Sequence, residues 1–329
     1  MANRVCEIFG IEYPIIQGAM AWTSMAPLVA AVSENGGLGV LGSGFMPKEI
    51  ILQQVEIVRS MTKKPFAANL FLDPGPQLEV GVSAIIEGKV PVAYIDSLNL
   101  LDLDMATEYY KRLHDAGCKV IAKINYLEDA IVAEKAGADV IIAKGVEGGG
   151  HCTKVSGRVL LSEVVEHVSI PVVASGGIAT ARQAAAVTVA GAEGVEMGTA
   201  FMASEECPVH PNVKEAVVHA IDRDIVACGA STGEPSWQVR NKLADEMLEI
   251  EATHTKAEAA DMIREISQGS LRIASLEGEV KEKGAVLAGP VAGLIHEIRP
   301  VKTWIVDFTE EWKEWLKKSY TGKEKKIRL

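Results

Sequence analysis

Short runs of apolar, largely β-branched residues alternate with longer amphipathic stretches over the first two hundred residues of the chain. The runs begin roughly 20 to 32 residues apart, which is the length of one strand, one helix and their loops. Eight runs are predicted to be strands: residues 13–20, 38–43, 65–72, 90–96, 119–124, 139–145, 171–177 and 194–200. Eight near-equal units restrict the chain to a small group of α/β architectures.

The stretches between the runs have apolar residues at three- and four-residue spacing, which is typical of helices. Clear examples are residues 47–60, 105–116, 127–136 and 181–190. The strand runs are apolar on both faces, as in a parallel sheet covered on both sides. The pattern predicts an α/β protein with a (β/α)8 TIM barrel, and an open doubly wound sheet is the weaker alternative.

The repeat ends after residue 200, and this change predicts a division into three parts. Residues 1–204 would form the barrel, and residues 205–283 a mainly helical insertion or cap over its C-terminal mouth. Within the cap we predict one strand at residues 224–228 and helices at residues 237–250 and 256–267. Residues 284–329 would return to the barrel and end in a helix packed on it.

The chain has 33 Lys and Arg residues against 44 Asp and Glu residues, a formal net charge of −11. This balance argues against nucleic-acid and membrane partners. The partner that we expect is a small-molecule substrate. The five scattered cysteines contain no CxxC pair, which fits reduced thiols in the cytoplasm. Cys207 and His210 lack a second ligand pair, so no metal site is predicted. The oligomeric state stays open, with a homodimer among the alternatives.

Two glycine-containing loops follow the last two predicted strands, at the barrel end where active sites lie. Ser175, Gly176 and Gly177 end the seventh strand, while Gly198 and Thr199 follow the eighth. Glycine lets backbone N–H groups approach an anion, and barrels of this kind often bind a phosphate at these loops. Either loop alone fits a tight turn, but the two together favour a phosphate site.

A third loop, after the sixth strand, contains three consecutive glycines followed by His151. Consecutive glycines are entropically costly, so this loop needs unusual dihedral angles or a close approach to a ligand. His151 at the catalytic face is a candidate acid or base, and a structural histidine is the alternative.

Polar side chains interrupt three apolar strands near their carboxyl ends, at Gln17, Asn69 and Lys123. A core-facing lysine is costly without a polar or anionic partner, so Lys123 indicates either a site or a buried ion pair. Lys144, at the end of the sixth strand, could act as a Schiff-base nucleophile in a lyase.

Several segments match a known family in order and spacing, from about residue 4 to residue 300. They are YPIIQGAMAW, GGLGVLGSG, KPFAANLF, GVEGGGH, PVVASGGI, GVEMGTAFMASEECPVHP and GPVAGLI. Together they resemble the nitronate monooxygenase (2-nitropropane dioxygenase) family, which includes enoyl-acyl carrier protein reductase II and related NADH:quinone reductases. The resemblance implies an FMN-bound TIM barrel with a helical domain over the flavin.

The resemblance also implies roles for particular residues. The FMN phosphate would be held by Gly176, Gly177, Gly198 and Thr199, with Ser175 and Met197 beside them. His151 matches the family's catalytic histidine. The flavin ring would be lined by Ala19, Met20 and Asn69, contacted by Lys123 and approached by Gly149 and Gly150.

The chain departs from the family pattern at three places. Gly148 replaces the usual alanine of the loop, Lys144 stands where Gln or Glu is common, and residues 94–99 lack the usual glycine-rich turn. The last segment borders the substrate side of the predicted site.

The leading hypothesis is a nitronate monooxygenase, in which a nitronate reduces FMN, the reduced flavin reacts with oxygen, and His151 positions the substrate or takes its α-proton. The alternative is an NAD(P)H-dependent enoyl-thioester or quinone reductase. A Schiff-base lyase using Lys144 and a non-catalytic flavin-binding module are more remote readings.

Overall fold

The computed structural model describes residues 3–321 and places eight parallel strands at the centre of the protein. The strands are β1 (Ile15–Gln17), β2 (Gly39–Leu41), β3 (Phe66–Phe71), β4 (Val92–Asp96), β5 (Lys119–Ile124), β6 (Val140–Lys144), β7 (Val172–Ser175) and β8 (Gly194–Met197). From β2 to β8 each strand pairs with the next, and β8 pairs with β1. Backbone hydrogen bonds of 3.0 Å from Gln17 to Leu38 and 2.9 Å from Leu38 to Ile15 close the barrel. The predicted (β/α)8 barrel is confirmed.

Helices follow the strands and cover the outside of the barrel. Their bounds, in chain order, are Ala26–Glu34, Lys48–Met61, Pro76–Glu87, Leu103–Asp115, Leu127–Ala136, Gly157–His167, Ala181–Val189 and the short Thr199–Met202. An additional helix, Arg4–Phe9, precedes β1, and its Val5 and Phe9 pack into the hydrophobic cluster of the barrel interior. The helix therefore fills the end of the barrel opposite the predicted site.

Strand side chains alternate between the helix-facing core and the barrel interior, as the two-residue period of a strand requires. The interior cluster includes Val92 and Tyr94 of β4, Ile121 of β5 and Ile142 of β6. One step further along the same faces, Asp96, Lys123 and Lys144 replace the apolar residues. The interior is thus apolar through most of its depth and charged at the carboxyl ends of the strands.

The segment after the last barrel strand contains helices and two strands. The helices are Pro211–His219, Lys242–Thr253, Lys256–Ser267 and Ser270–Arg272, with a π-helical turn at Ile273–Glu277 and short 3-10 turns at Asp222–Asp224, Ala230–Thr232 and Pro290–Leu294. The strands Ile225–Cys228 and Ser236–Val239 pair antiparallel, and the second pairs with Gly150–His151. This three-stranded unit is called the mouth sheet below.

The prediction of a helix over residues 237–250 is wrong at its start, and the prediction of a single strand in this segment is also wrong. Trp237 and Val239 pair with Gly150 and Ile225 in the mouth sheet, so tertiary pairing overrides the helical pattern. The helix begins only at Lys242, where the Asn241 side chain accepts a 3.0 Å hydrogen bond from the Ala244 amide.

The chain returns to the barrel through a π-helical turn, Thr303–Asp307, and the helix Phe308–Thr321. Trp304, Phe308 and Trp312 are buried, and the Trp312 indole donates a 3.1 Å hydrogen bond to Thr188 on a barrel helix. This is the packing that the apolar face of the segment predicts. Within residues 3–321, no helix is long and apolar enough to cross a membrane.

Candidate active site

One cavity of about 500 Å³ opens at the carboxyl ends of the barrel strands, beneath the mouth sheet. Every residue that the sequence analysis assigned to catalysis or cofactor binding lines it. These residues are Ala19, Met20, Asn69, Lys123, Gly149, Gly150, His151, Ser175, Gly176, Gly177, Met197, Gly198 and Thr199. The structure brings them together, while their individual roles remain predictions.

The loops after β7 and β8 form one wall of the cavity with free hydrogen-bond donors. Gly176 and Gly177 have φ angles of 99° and 71°, the left-handed region that favours glycine. Among the described residues, the backbone N–H groups of Gly177 and Gly198 find no acceptor. The Gln183 side chain, in the capping box of the next helix, holds the Gly177 carbonyl at 2.7 Å. This wall can therefore accept an anion, which fits a phosphate.

Charged side chains form the floor of the cavity. The Lys123 ammonium lies 3.4 Å from the Asp96 carboxylate and 3.7 Å from the Glu196 carboxylate. Burial alone would lower the pKa of Lys123, but Glu196 and Asp96 outweigh it, so the pKa is raised and the lysine stays charged. Lys123 therefore both lines the cavity and forms the buried ion pair that the sequence left as an alternative.

Glu196 is the centre of this floor. It accepts hydrogen bonds from the Tyr94 hydroxyl and, at 2.5 Å, from the Ser175 hydroxyl. Burial, followed by the charge of Glu196, raises the pKa of Tyr94 well above its ordinary value, so the phenol keeps its proton and acts as a donor. The floor is a connected network in which each charge has a partner.

A second lysine, Lys144, lies beside this network. Its ammonium donates a 2.7 Å hydrogen bond to the backbone carbonyl of His151. Burial, and after it the neighbouring Lys123 ammonium, lower the pKa of Lys144 to about 8. A lowered pKa is what a nucleophilic lysine needs, but the amine is held by the histidine loop.

His151 lies in the mouth sheet, directly opposite Ser236. Its imidazole Nε2 is 3.8 Å from a Glu234 carboxylate oxygen, and the side chain is 44% exposed. Partial burial, and then the Lys144 ammonium, lower its pKa from the ordinary value, which favours the neutral imidazole. A neutral imidazole at the cavity wall can accept a proton from a substrate.

The glycines before His151 are needed for close packing. A Cβ on Gly149 would lie 2.7 Å from the Gly289 nitrogen, and one on Gly148 would lie 2.6 Å from the Lys144 side chain. The Trp237 indole also donates a 2.9 Å hydrogen bond to the Val146 carbonyl. The loop is therefore clamped between the return segment, Lys144 and the mouth sheet.

The other two strand-interrupting residues serve the scaffold as well. Gln17 is fully buried and bonds to Ser24 and to the Val40 backbone, tying β1 to β2. The Asn69 amide lines the cavity, but its polar atoms bond to the backbone of Gly44, Leu70 and Tyr94.

Sequence reasoning did not assign several polar residues that line the cavity, among them Asp96, Glu196 and Glu234. It also did not identify Tyr94, which donates to Glu196 from outside the lining. The signal for Glu196 was present, since it interrupts the apolar run GVEMGTA as Lys123 interrupts KVIAKI. Glu234 had no signal, because only the mouth sheet brings it to His151. The 94–99 loop lies at the cavity edge, anchored by Asp73, which accepts a 2.9 Å hydrogen bond from the Leu98 amide.

The closed barrel, its anion-accepting wall and the histidine at its mouth define a TIM-barrel enzyme that works at the carboxyl ends of its strands. The chain belongs to the nitronate monooxygenase family, whose profile matches residues 2–311, and it is an oxidoreductase of that family. The resemblance found in the sequence is confirmed.

Individual relatives support the assignment. Probable nitronate monooxygenases of Staphylococcus aureus, for example from strain N315, are 32% identical over 289 residues, which cover 76% of this chain and 81% of the relative. The structure of FabK from Thermotoga maritima has a TM-score of 0.90 at 41% identity and covers 97% of this chain and 99% of its own. A nitroalkane oxidase from Streptomyces ansochromogenes has a TM-score of 0.80 at 27% identity, covering 98% of this chain and all of its own (100%).

Proposed function

We propose that the cavity binds FMN non-covalently, with its phosphate at Gly176, Gly177, Gly198 and Thr199. The unpaired N–H groups of Gly177 and Gly198 support this placement, because they offer donors to an anion and have no partner within the described residues. Ser175 and Met197 would lie beside the phosphate. The flavin ring would lie over the floor, against Ala19, Met20, Asn69, Lys123, Gly149 and Gly150.

The proposed reaction is the oxidation of nitronates and nitroalkanes with oxygen. Bound FMN would supply the two-electron acceptor and the means of reaction with oxygen. The protein would orient the substrate at His151, and the neutral imidazole would take the α-proton of a nitroalkane. The position and lowered pKa of His151 carry this proposal.

A second candidate is an NAD(P)H-dependent reductase of enoyl thioesters or quinones. The 41% identity with FabK over 97% of the chain favours it. In that reaction His151 would orient the substrate carbonyl or deliver a proton. Family membership and the engaged amine of Lys144 favour either oxidoreductase over the lyase.

Electron donor preference separates the two candidates. Wild-type protein is mixed with NADH, NADPH or an alkyl nitronate under anaerobic conditions while the flavin absorbance is recorded. Rapid loss of absorbance with a nitronate alone supports the monooxygenase, whereas loss with a nicotinamide alone supports the reductase.

The division into a barrel at residues 1–204, a cap at 205–283 and a return segment at 284–329 is also part of the proposal. All five cysteines are unpaired, which supports a reducing compartment, the cytoplasm. A homodimer is the proposed assembly, to be tested by sedimentation.

A further inference from the structure

A second chamber of about 410 Å³ adjoins the active-site cavity within the cap. The two spaces share the side chains of His151, Glu234, Leu271, Ala285 and Leu287. His151 therefore lies at the boundary of the two spaces, and the volume of the second chamber lies in the range of ligand pockets, roughly 300–1,000 Å³.

The walls of the chamber differ between floor and rim. The floor of the chamber is formed by buried side chains of the hydrophobic cluster of the cap, which are Cys228, Leu243, Met247 and Ile263. Burial raises the pKa of the Cys228 thiol, so this group is uncharged as well. Two buried polar side chains, Gln238 and Ser270, also line the chamber, and the Gln238 amide contacts the Met247 sulfur at 3.7 Å. The four apolar side chains favour an aliphatic occupant over a charged one, because a charge would lose its hydration there without an opposite charge beside it.

The rim is polar and contains one unusual aromatic residue. Arg264 and Arg272 are about half exposed and each is paired with a carboxylate of its own segment. Trp22, from the loop after β1, is 41% exposed and has a φ angle of 62°. A bulky residue in the left-handed region is strained, and such strain clusters at ligand sites. Trp22 thus contributes a strained aromatic side chain from the barrel to the lining of the chamber.

We propose that the second chamber binds the aliphatic chain of the substrate whose reacting carbon lies at His151. This inference rests on the proposed function and names its substrate class: linear alkyl compounds rather than the smallest nitronates. The apolar side chains of the floor, the boundary with the cavity at His151 and the confinement of charge to the rim all match a molecule with a polar reacting end and an apolar chain.

Binding of saturated linear carboxylates from butanoate to dodecanoate tests the chamber without turnover, because a carboxylate is a planar anion like a nitronate. Titration calorimetry is performed on the flavin-loaded wild-type protein. The dissociation constant should fall about fourfold per added methylene, equivalent to about 0.8 kcal/mol, until the chamber is full. The heat-capacity change should become more negative with chain length.

Three tryptophan variants test whether the gain in affinity with chain length arises in the second chamber. Ile263→Trp fills the floor, and Ser267→Trp fills the chamber from its partly exposed edge with less risk to folding. Met262→Trp is the matched control, since Met262 is the neighbour of Ile263 on the same helix but is 37% exposed and outside the chamber lining. The first two variants should abolish the gain with chain length, and the control should keep it.

The inference is overturned if wild-type affinity does not depend on chain length, or if folded Ser267→Trp retains the full dependence. Turnover is also measured with alkyl nitronates of the same chain lengths. This second measurement tests the proposed function separately from the binding of the chain. Length-dependent carboxylate binding without oxidation of any nitronate would uphold the chamber and refute the monooxygenase. Oxidation of nitronates together with carboxylate binding that does not depend on chain length would support the monooxygenase and refute the role of the chamber.

Discussion

The buried ammonium of Lys144 holds the backbone carbonyl of His151 at 2.7 Å. The candidate catalytic residue is therefore positioned through its main chain, while its imidazole stays free to meet substrate. This matters because the preceding glycines supply little stiffness of their own.

Stability should depend on pH through Lys144 in a defined direction. Burial, and after it Lys123, lower its pKa to about 8 in the folded protein, below the value of about 10.4 for an unfolded chain. Between these values the unfolded chain binds more protons, so this group makes the folded state more stable as the pH rises. From pH 8 to 9.5 wild type should gain about 2 kcal/mol relative to Lys144→Met, measured by denaturant unfolding.

Lys144→Gln is the control, since it removes the titrating charge but keeps a hydrogen-bond donor. It should follow the same stability profile as Lys144→Met while retaining more activity. Parallel profiles for wild type and both variants would show that Lys144 does not titrate in this range.

FMN content should depend on Gly198. A Cβ there has no neighbour closer than the Met20 sulfur at 3.6 Å, so aspartate adds charge without a clash. Gly198→Asp should be purified without flavin, because its carboxylate repels the phosphate. Gly176→Asp should also lose flavin, but its Cβ would lie 2.9 Å from the Gly148 nitrogen, so it tests charge less cleanly. The flavin bound per protein is measured from the visible absorbance of the purified proteins. A wild-type flavin content in Gly198→Asp would refute the placement of the phosphate.

Lys123 and Glu196 should shift the flavin midpoint potential in opposite directions. A cation near the flavin stabilises the negative charge that develops on reduction, so Lys123→Met should lower the potential by the equivalent of about 1–3 kcal/mol. Glu196→Gln, which removes a negative charge from the same network, should raise it. Redox titration with reference dyes measures both, and an unchanged potential in Lys123→Met at normal FMN occupancy would assign the lysine to the scaffold alone.

The strands were predictable because their apolar character is local and their spacing repeats. In the mouth sheet, the strand predicted at residues 224–228 is present as Ile225–Cys228. The strand that contains Trp237 was not predictable, since its local pattern is typical of a helix and only pairing with Gly150 and Ile225 makes it a strand. At the site, single residues such as Lys123 and His151 could be found from their unusual settings. The partners Asp96 and Glu234 depend on side chains that only tertiary structure brings within reach.

His151→Ala should lower turnover per bound flavin by about 10²- to 10⁴-fold, the usual contribution of a positioned acid or base. The loss should be larger for a neutral nitroalkane than for a preformed nitronate, which needs no proton removed. Because the side chain is 44% exposed, the melting temperature should change little. Glu234→Gln, which keeps the imidazole, should lose much less activity. A destabilised His151→Ala protein with full activity per flavin would assign the histidine to packing.

We expect this barrel to hold a flavin that alkyl nitronates reduce. This expectation is tested by the visible spectrum of the purified protein before and after anaerobic addition of the nitronate of 1-nitrohexane, with NADH added to a parallel sample. We predict an oxidised-flavin spectrum that the nitronate bleaches within the mixing time while the NADH sample remains yellow. A colourless protein would show that the barrel holds no flavin, and a yellow protein bleached by NADH but unaffected by the nitronate would show that it is not a nitronate monooxygenase.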